Sequence, residues 1–395
     1  MTLLESGNEY FHHLVDIVHK NNCLFSFPIE NKTGTHAVKE IRRRFLDETN
    51  AGQSTMVDLV ERCLTDQDIS MQKELKLKRP QVFDYSQILG LKKGRVYGLE
   101  LQKMGPTGSH KDLMVGALIV IQIMAGVLSH DGIDTITDAG FLNSALAAKF
   151  YSKLFGFQGT YFIQETVPEW LLKDLDGEDH FKAVRVPTPE LSTGIDKKNG
   201  TYLALLRNLA KASFRERACL LGHSEIGPLA MIPYGRMFAR VLGKMGIEPS
   251  AIVTPVGAGT TFLGIGGPLQ DHFGLDIVLV EFAEYASLKA KISDERYKGK
   301  LEVSFSLPLG DGVRIEDRFW KYLLRKGYDL GWTSAVALVV ASYLAEERGI
   351  KVVVPIFEHA KNYSENARKI LSREIQLNPF ISDADWERVS EVYTL

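Results

Sequence analysis

Cysteine is scarce in this chain of 395 residues: Cys23, Cys63 and Cys219 are odd in number, far apart and in no C-x-x-C spacing. That excludes a disulfide framework and a thiolate zinc site, and it fits a reducing compartment. An excess of charge is also missing, because 47 basic residues face 49 acidic ones for a net charge of −2. This balance leaves no electrostatic footprint for nucleic acid or an anionic membrane, so a small polar or zwitterionic partner is expected. No apolar run is long enough for a membrane: the longest, 113–128, is interrupted by Gln122 and falls short of the roughly 20 residues a bilayer span requires. The first twenty residues, MTLLESGNEYFHHLVDIVHK, carry neither a basic start nor a continuous apolar stretch. No secretory signal is therefore expected, and the cytoplasm is the expected location. His12 and His13 are neighbours and do not share a helix face, so with His19 they give no metal ligand set.

What the sequence does hold, from about residue 95 onward, is an alternation of short β-rich runs with helical segments, the pattern of parallel βαβ units. Strands are predicted at 135–137, 159–164, 182–186, 251–256, 276–281 and 351–357, and helices at 112–129, 142–155, 201–214, 229–245, 333–348 and 364–374. Residues 1–90 differ. They contain an amphipathic stretch near 6–20, the basic VKEIRRRF and the charged connector QKELKLKRP, and are expected to form an N-terminal helical extension.

Two stretches carry chemistry. The first is KMGPTGSHKDLMVG, 103–116, in which Lys111 falls at the start of a long apolar helix. A lysine there opposes the helix macrodipole, which favours anions at that end. The second is AIVTPVGAGTTFLGIGG, a β-branched strand running into a loop where Gly257 and Gly259 free the backbone to turn its N–H groups toward one point. With Ala258 between them and the hydroxyls of Thr260 and Thr261 following, this is a nest for a phosphate. A dinucleotide fold would need a third glycine where Phe262 stands, although Glu281 ends the next strand as such a fold requires. No G-x-x-x-x-G-K-[ST] string occurs. A phosphate nest together with a lone lysine in a Gly/Ser/Thr loop is what pyridoxal phosphate (PLP) needs, an amine for its imine and a cradle for its phosphate.

At these residues the chain resembles the tryptophan synthase β-like, fold-type II PLP enzymes, which include threonine synthase, cysteine synthase and serine/threonine dehydratase. GPTGSHKD resembles that family's NPTGSFKDR, and TPVGAGTTFLG resembles VPVGGGGLISG. Further along, and in the family's order, VEFAEYASL, LGDGV, LGWTSAVALVVASYLAEERG and VVVPIFEHAKNYS resemble VEPEGAAAL, IADGL, VEPSSAAALAALLKLAEERG and VVVILPDSGERYLS. The resemblance implies an α/β fold of two open, mostly parallel twisted sheets flanked by helices. It divides the chain into a smaller domain at 112–215 and a larger PLP-binding domain at 91–111 and 216–395. It also implies a homodimer acting on an amino acid. Lys111 would carry PLP as a Schiff base and, once freed, take the Cα proton; the phosphate would rest on 257–261.

Departures from the family sharpen the expectation. The family's SSGN or GAGQ loop, which holds the substrate carboxylate and the cofactor's phenolic oxygen, reads TDAGFLNSALA here. Gapless matching puts Phe141 at the Asn position, and a small shift would put Asn143 there instead. Ser109, Asp138, Ala139, Gly140 and Asn143 are the implied substrate-binding residues, with the acidic Asp138 repelling a carboxylate. His110 either donates to the phosphate or packs beside the cofactor. Either Glu358 or His359 replaces the Ser that meets the pyridine nitrogen. The activity implied is β- or γ-elimination or replacement in specialised amino-acid biosynthesis, with a racemase, a deaminase or a non-catalytic PLP-binding homologue as alternatives.

Overall fold

The computed structural model describes residues 75–124, 127–129, 132–140, 142–164, 169–175, 178–186, 218–221, 227–255, 259–282, 303–307 and 315–362. The helices predicted at 201–214 and 364–374, the segments of 1–74, and the site candidates Phe141, Gly257 and Ala258 lie outside them.

Two sheets organise the described residues. The larger has six strands in the order β1-β2-β10-β7-β8-β9, formed by β1 (Val82–Asp84), β2 (Val96–Leu99), β7 (Ala251–Pro255), β8 (Asp276–Phe282), β9 (Val303–Leu307) and β10 (Val352–Pro355). All its pairings are parallel except the antiparallel edge pair β1–β2. The smaller sheet is wholly parallel, in the order β5-β4-β3-β6, with β3 at Thr135–Gly140, β4 at Gln158–Gln164, β5 at Phe181–Val186 and β6 at Cys219–Leu220.

The central strands β10 and β7 read as nearly continuous apolar runs because both of their faces are covered. In β10, Val353 points into the core shared with α1 (Lys111–Met124), α2 (Leu142–Phe155) and α4 (Gly227–Lys244). Its neighbours Val352 and Val354 point the other way, against α7 (Trp332–Glu347). Helix α1 is buried on every side from Asp112 to Met124 and packs against α2 and α4. That full burial is why its sequence shows no polar face.

Three placements differ from the elements expected above. Val82–Asp84, inside the span assigned to a helical extension, is an edge strand of the larger sheet. Cys219 and Leu220, beyond the expected end of the smaller domain, pair with Ile136 and Thr137 of β3. Both strands are too short, at three and two residues, to show a two-residue periodicity. Finally, β2, β9 and the amphipathic helix Ile315–Arg325, called α6 (α3 and α5 being Glu169–Leu172 and Gly267–Phe273), had no counterpart among the predicted elements. In β2, Gly98 breaks the apolar pattern because the Tyr85 ring takes its side-chain space: a Cβ there would lie 2.4 Å from Tyr85 Cε2.

Candidate active site

The lysine loop is folded by the residue after the lysine. Asp112, fully buried in the first turn of α1, turns its carboxylate back to accept from the Thr107 N–H at 2.9 Å, the Thr107 hydroxyl at 2.6 Å and the Ser109 N–H at 3.4 Å. Burial raises this carboxyl to about 6 even though those donors oppose the shift. Its negative charge suits the helix start that Lys111 does not. Gly105 must lack a side chain for the same reason, since a Cβ would fall 2.2 Å from Asp112 Cβ.

The loop then docks, strand-like, on the segment that follows β10. His110 N–H donates to the Phe357 carbonyl, His359 N–H donates to the Gly108 carbonyl at 2.8 Å, and Ser109 forms an antiparallel bridge with Glu358. Asn362 adds a side-chain clamp: its Nδ2 reaches the carbonyls of Thr107 at 3.0 Å and Gly108 at 3.5 Å and Asn143 Oδ1 at 3.4 Å. One amide therefore ties the lysine loop to the start of α2. Asn362 was not singled out in the sequence, and no local pattern could have marked it, because its partners lie more than 200 positions away.

Lys111 is thus the first residue of α1, with its N–H donated to Ser109 Oγ at 3.2 Å. Burial lowers its ammonium from 10.5 to about 8, partly countered by the carboxylates of Glu358 and Asp138. His110 is neutral, since burial and then the neighbouring Lys111 charge push its proton affinity well down. Its Nδ1 lies 3.1 Å from the Phe357 carbonyl, which can only accept, so Nδ1 holds the ring proton and Nε2 has none to give a phosphate. Of its two expected roles, packing fits: the ring stands edge-on to Phe357 at 4.9 Å.

The structure separates Glu358 from His359. Glu358 is 2% exposed, and its Oε1 accepts the hydroxyl of Thr333, the second residue of α7. Its Oε2 lies 4.0 Å from His110 Nδ1, and burial raises its carboxyl to about 7 against the opposing effects of Thr333, Lys111 and His359. The imidazole of His359 instead turns to Asp329, with Nδ1 2.9 Å from Oδ2.

At the end of β3 the strand pairing continues through Gly140, opposite Ile163, and α2 begins at Leu142. A single residue, 141, connects them. Asp138 is buried with Oδ1 accepting the Ala139 N–H at 2.8 Å, and its charge reaches Lys111. Asn143 is buried and held by Asn362.

The candidate phosphate loop leaves β7 beside β10 in the sheet. Gly259 has φ +83, and the buried Thr260 and Thr261 lead into a π-helical turn, Phe262–Gly266. A Cβ on Gly227 would fall 2.7 Å from Thr260 Cγ2 and 3.1 Å from Met114 Sδ. The starts of α1 and α4 therefore meet the loop at one point. Gly259→Val is expected to weaken PLP binding about tenfold or more, because a β-branched residue at that φ costs ~1–3 kcal/mol. Fluorescence titration of the apoprotein with PLP checks it; unchanged affinity would place the phosphate elsewhere.

Residues 86–352 match a family model described as pyridoxal-phosphate dependent enzyme. No curated protein matches the chain. Among solved structures, O-acetylserine sulfhydrylase isoform 3 from Entamoeba histolytica is similar at TM-score 0.61 and 15% identity, over 80% of this chain and 95% of that one. O-Ureido-L-serine synthase is similar at TM-score 0.58 and 17% identity, over 80% and 98%. A hydrogen sulfide-producing enzyme, solved as a point mutant in complex with an α-aminoacrylate intermediate, gives TM-score 0.58 and 17% identity over 78% and 92%. At these identities the likeness shows a shared fold.

Proposed function

The chain belongs to the pyridoxal-phosphate dependent enzymes, and from that premise we propose that it catalyses elimination or replacement at Cβ, or Cγ, of an amino acid. Lys111 is both the attachment point and the base in this proposal. Its half-buried amine of lowered proton affinity, at the meeting point of the lysine loop and the post-β10 segment, is the observation that carries it. The residues present fit the cofactor: an amine that is easily deprotonated, a left-handed glycine leading into buried threonines, and the carboxylate of the buried Glu358, whose Oε2 accepts no hydrogen bond among the described residues.

PLP, when bound, supplies an electron-accepting ring that acidifies the Cα proton and lets a leaving group depart. The protein's part is to hold and move that proton. The Lys111 nitrogen, displaced by the substrate amine, is left beside Cα as the base. Asp138 disfavours a second carboxylate at the β3 end, which turns the substrate away from the usual pose of a small α-amino acid. Chemistry at the β-carbon is supported by the structurally similar proteins, named as a sulfide producer, an O-ureido-L-serine synthase and an O-acetylserine sulfhydrylase. We further propose a role in specialised amino-acid biosynthesis, a homodimer in the cytoplasm, and a division into two lobes, one on each sheet.

The test is an absorbance screen of the PLP-loaded protein against amino acids and their O-acyl and O-phospho derivatives. A new long-wavelength band with release of the leaving group is expected for one of them. Cα proton exchange without product would point to a racemase, and binding of PLP with no response to any amino acid would overturn the enzymatic proposal.

A further inference from the structure

Glu358, 2% exposed, has one carboxylate oxygen, Oε2, that accepts no hydrogen bond among the described residues. The other oxygen of the carboxylate is taken by Thr333, and besides the Lys111 amine, whose charge it feels, the two imidazoles nearby are turned elsewhere. His110 Nδ1 is 4.0 Å away and gives its proton to the Phe357 carbonyl. The next residue's imidazole is turned to Asp329. Oε2 is therefore the carboxylate oxygen left open to the site, next to Lys111, where it can accept an N–H from a bound molecule.

Which N–H follows from the sheet. β10 and β7 are parallel neighbours; Glu358 lies just past the carboxyl end of one, and the candidate phosphate loop leaves the carboxyl end of the other. On a pyridoxal ring the carbon that joins the lysine is flanked by the phosphate-bearing carbon, and the ring nitrogen stands opposite it. A ring attached to Lys111 with its phosphate toward β7 turns its nitrogen away from the lysine, toward the adjoining β10 end. Resting on the reading of this chain as an active PLP enzyme, we infer that Glu358, and not His359, binds the pyridine nitrogen and keeps it protonated. The pair is N–H⁺ against a carboxylate, with one proton taken from solvent when the ring arrives. Thr333 orients the carboxylate from behind, and Gly331 leaves it room: its N–H donates to the Glu358 carbonyl at 2.8 Å, and a Cβ there would sit 2.3 Å from Oε1. A nitrogen held protonated delocalises negative charge from Cα more fully than one facing a neutral hydroxyl, which suits reactions that must hold that charge longer, such as departure from Cγ.

Nitrogen NMR of the protein loaded with ring-¹⁵N PLP tests this directly. The wild type, Thr333→Val and His359→Ser are expected to show the shift of a protonated pyridine nitrogen, and Glu358→Gln to lose it. A wild-type nitrogen that is unprotonated, or a Glu358→Gln protein that keeps the proton, overturns the inference. A second measurement needs no variant: the analogue with CH in place of the ring nitrogen should bind the wild-type apoprotein more weakly than PLP does, and equal affinity also overturns it. Borohydride labelling of the same samples separates the two levels. Label on Lys111 with an unprotonated nitrogen removes only the role of Glu358, whereas absence of label removes the enzymatic proposal with it.

Discussion

Lys111→Ala is expected to abolish covalent attachment of PLP and to lower turnover by at least the roughly 10²–10⁴-fold that a positioned base contributes, while the protein stays folded. The fold should survive because Asp112, not Lys111, organises the loop, through its three bonds to Thr107 and Ser109. Borohydride reduction followed by peptide mapping should label Lys111 in the wild type and nothing in the variant. Label on another lysine would sink the assignment. The pH dependence has a definite sign. Burial lowers the Lys111 ammonium, so the neutral, nucleophilic amine prevails above about 8 instead of above 10.5. The rate of PLP attachment to the apoprotein should therefore rise with pH and level off above about 8. A rate still climbing toward pH 10 would mean that the amine keeps its ordinary proton affinity.

The two stretches that carried the chemistry in the sequence are local in character, and that is why they were visible there. A β-branched run that empties into glycines and hydroxyls, or a lysine in a Gly/Ser/Thr loop ahead of an apolar helix, keeps its meaning within about a dozen residues. β7 and β10 were equally plain, since strands covered on both faces have no polar positions to confuse the pattern. The choice between Glu358 and His359 was of another kind. Adjacent residues in an extended segment point to opposite sides, so either residue served equally well until the pairing of Ser109 with Glu358 fixed which side faces Lys111. The clamp by Asn362 and the backing of Glu358 by Thr333 could not be read either, because each is a single contact between segments distant in sequence. The same holds for β6: two residues become a strand only because β3 offers an edge to pair with.

Gly108→Val should be the most damaging single change outside Lys111, and it acts through the same pairing. Gly108 has φ +81, and a Cβ on it would fall 2.1 Å from His359 Cδ2. Two costs add. A β-branched residue at that φ costs ~1–3 kcal/mol, and forcing an extra side chain into packed surroundings costs another ~1–3 kcal/mol. Against a total stability of about 5–15 kcal/mol for a typical domain, the sum is a visible loss. His359 can yield only by giving up its N–H bond to the Gly108 carbonyl or its contact with Asp329, and either movement pulls Glu358 out of register with Ser109. The variant should therefore melt several degrees lower and also bind PLP poorly. Gly90→Val is the control, because Gly90 has φ +74 but nothing within 4 Å of its Cβ position; it should show the backbone cost alone and keep normal PLP affinity. If both variants melt alike and both bind PLP normally, the lysine loop does not depend on its seat against His359. The site would then be held chiefly by the carboxylate of Asp112 and the amide of Asn362.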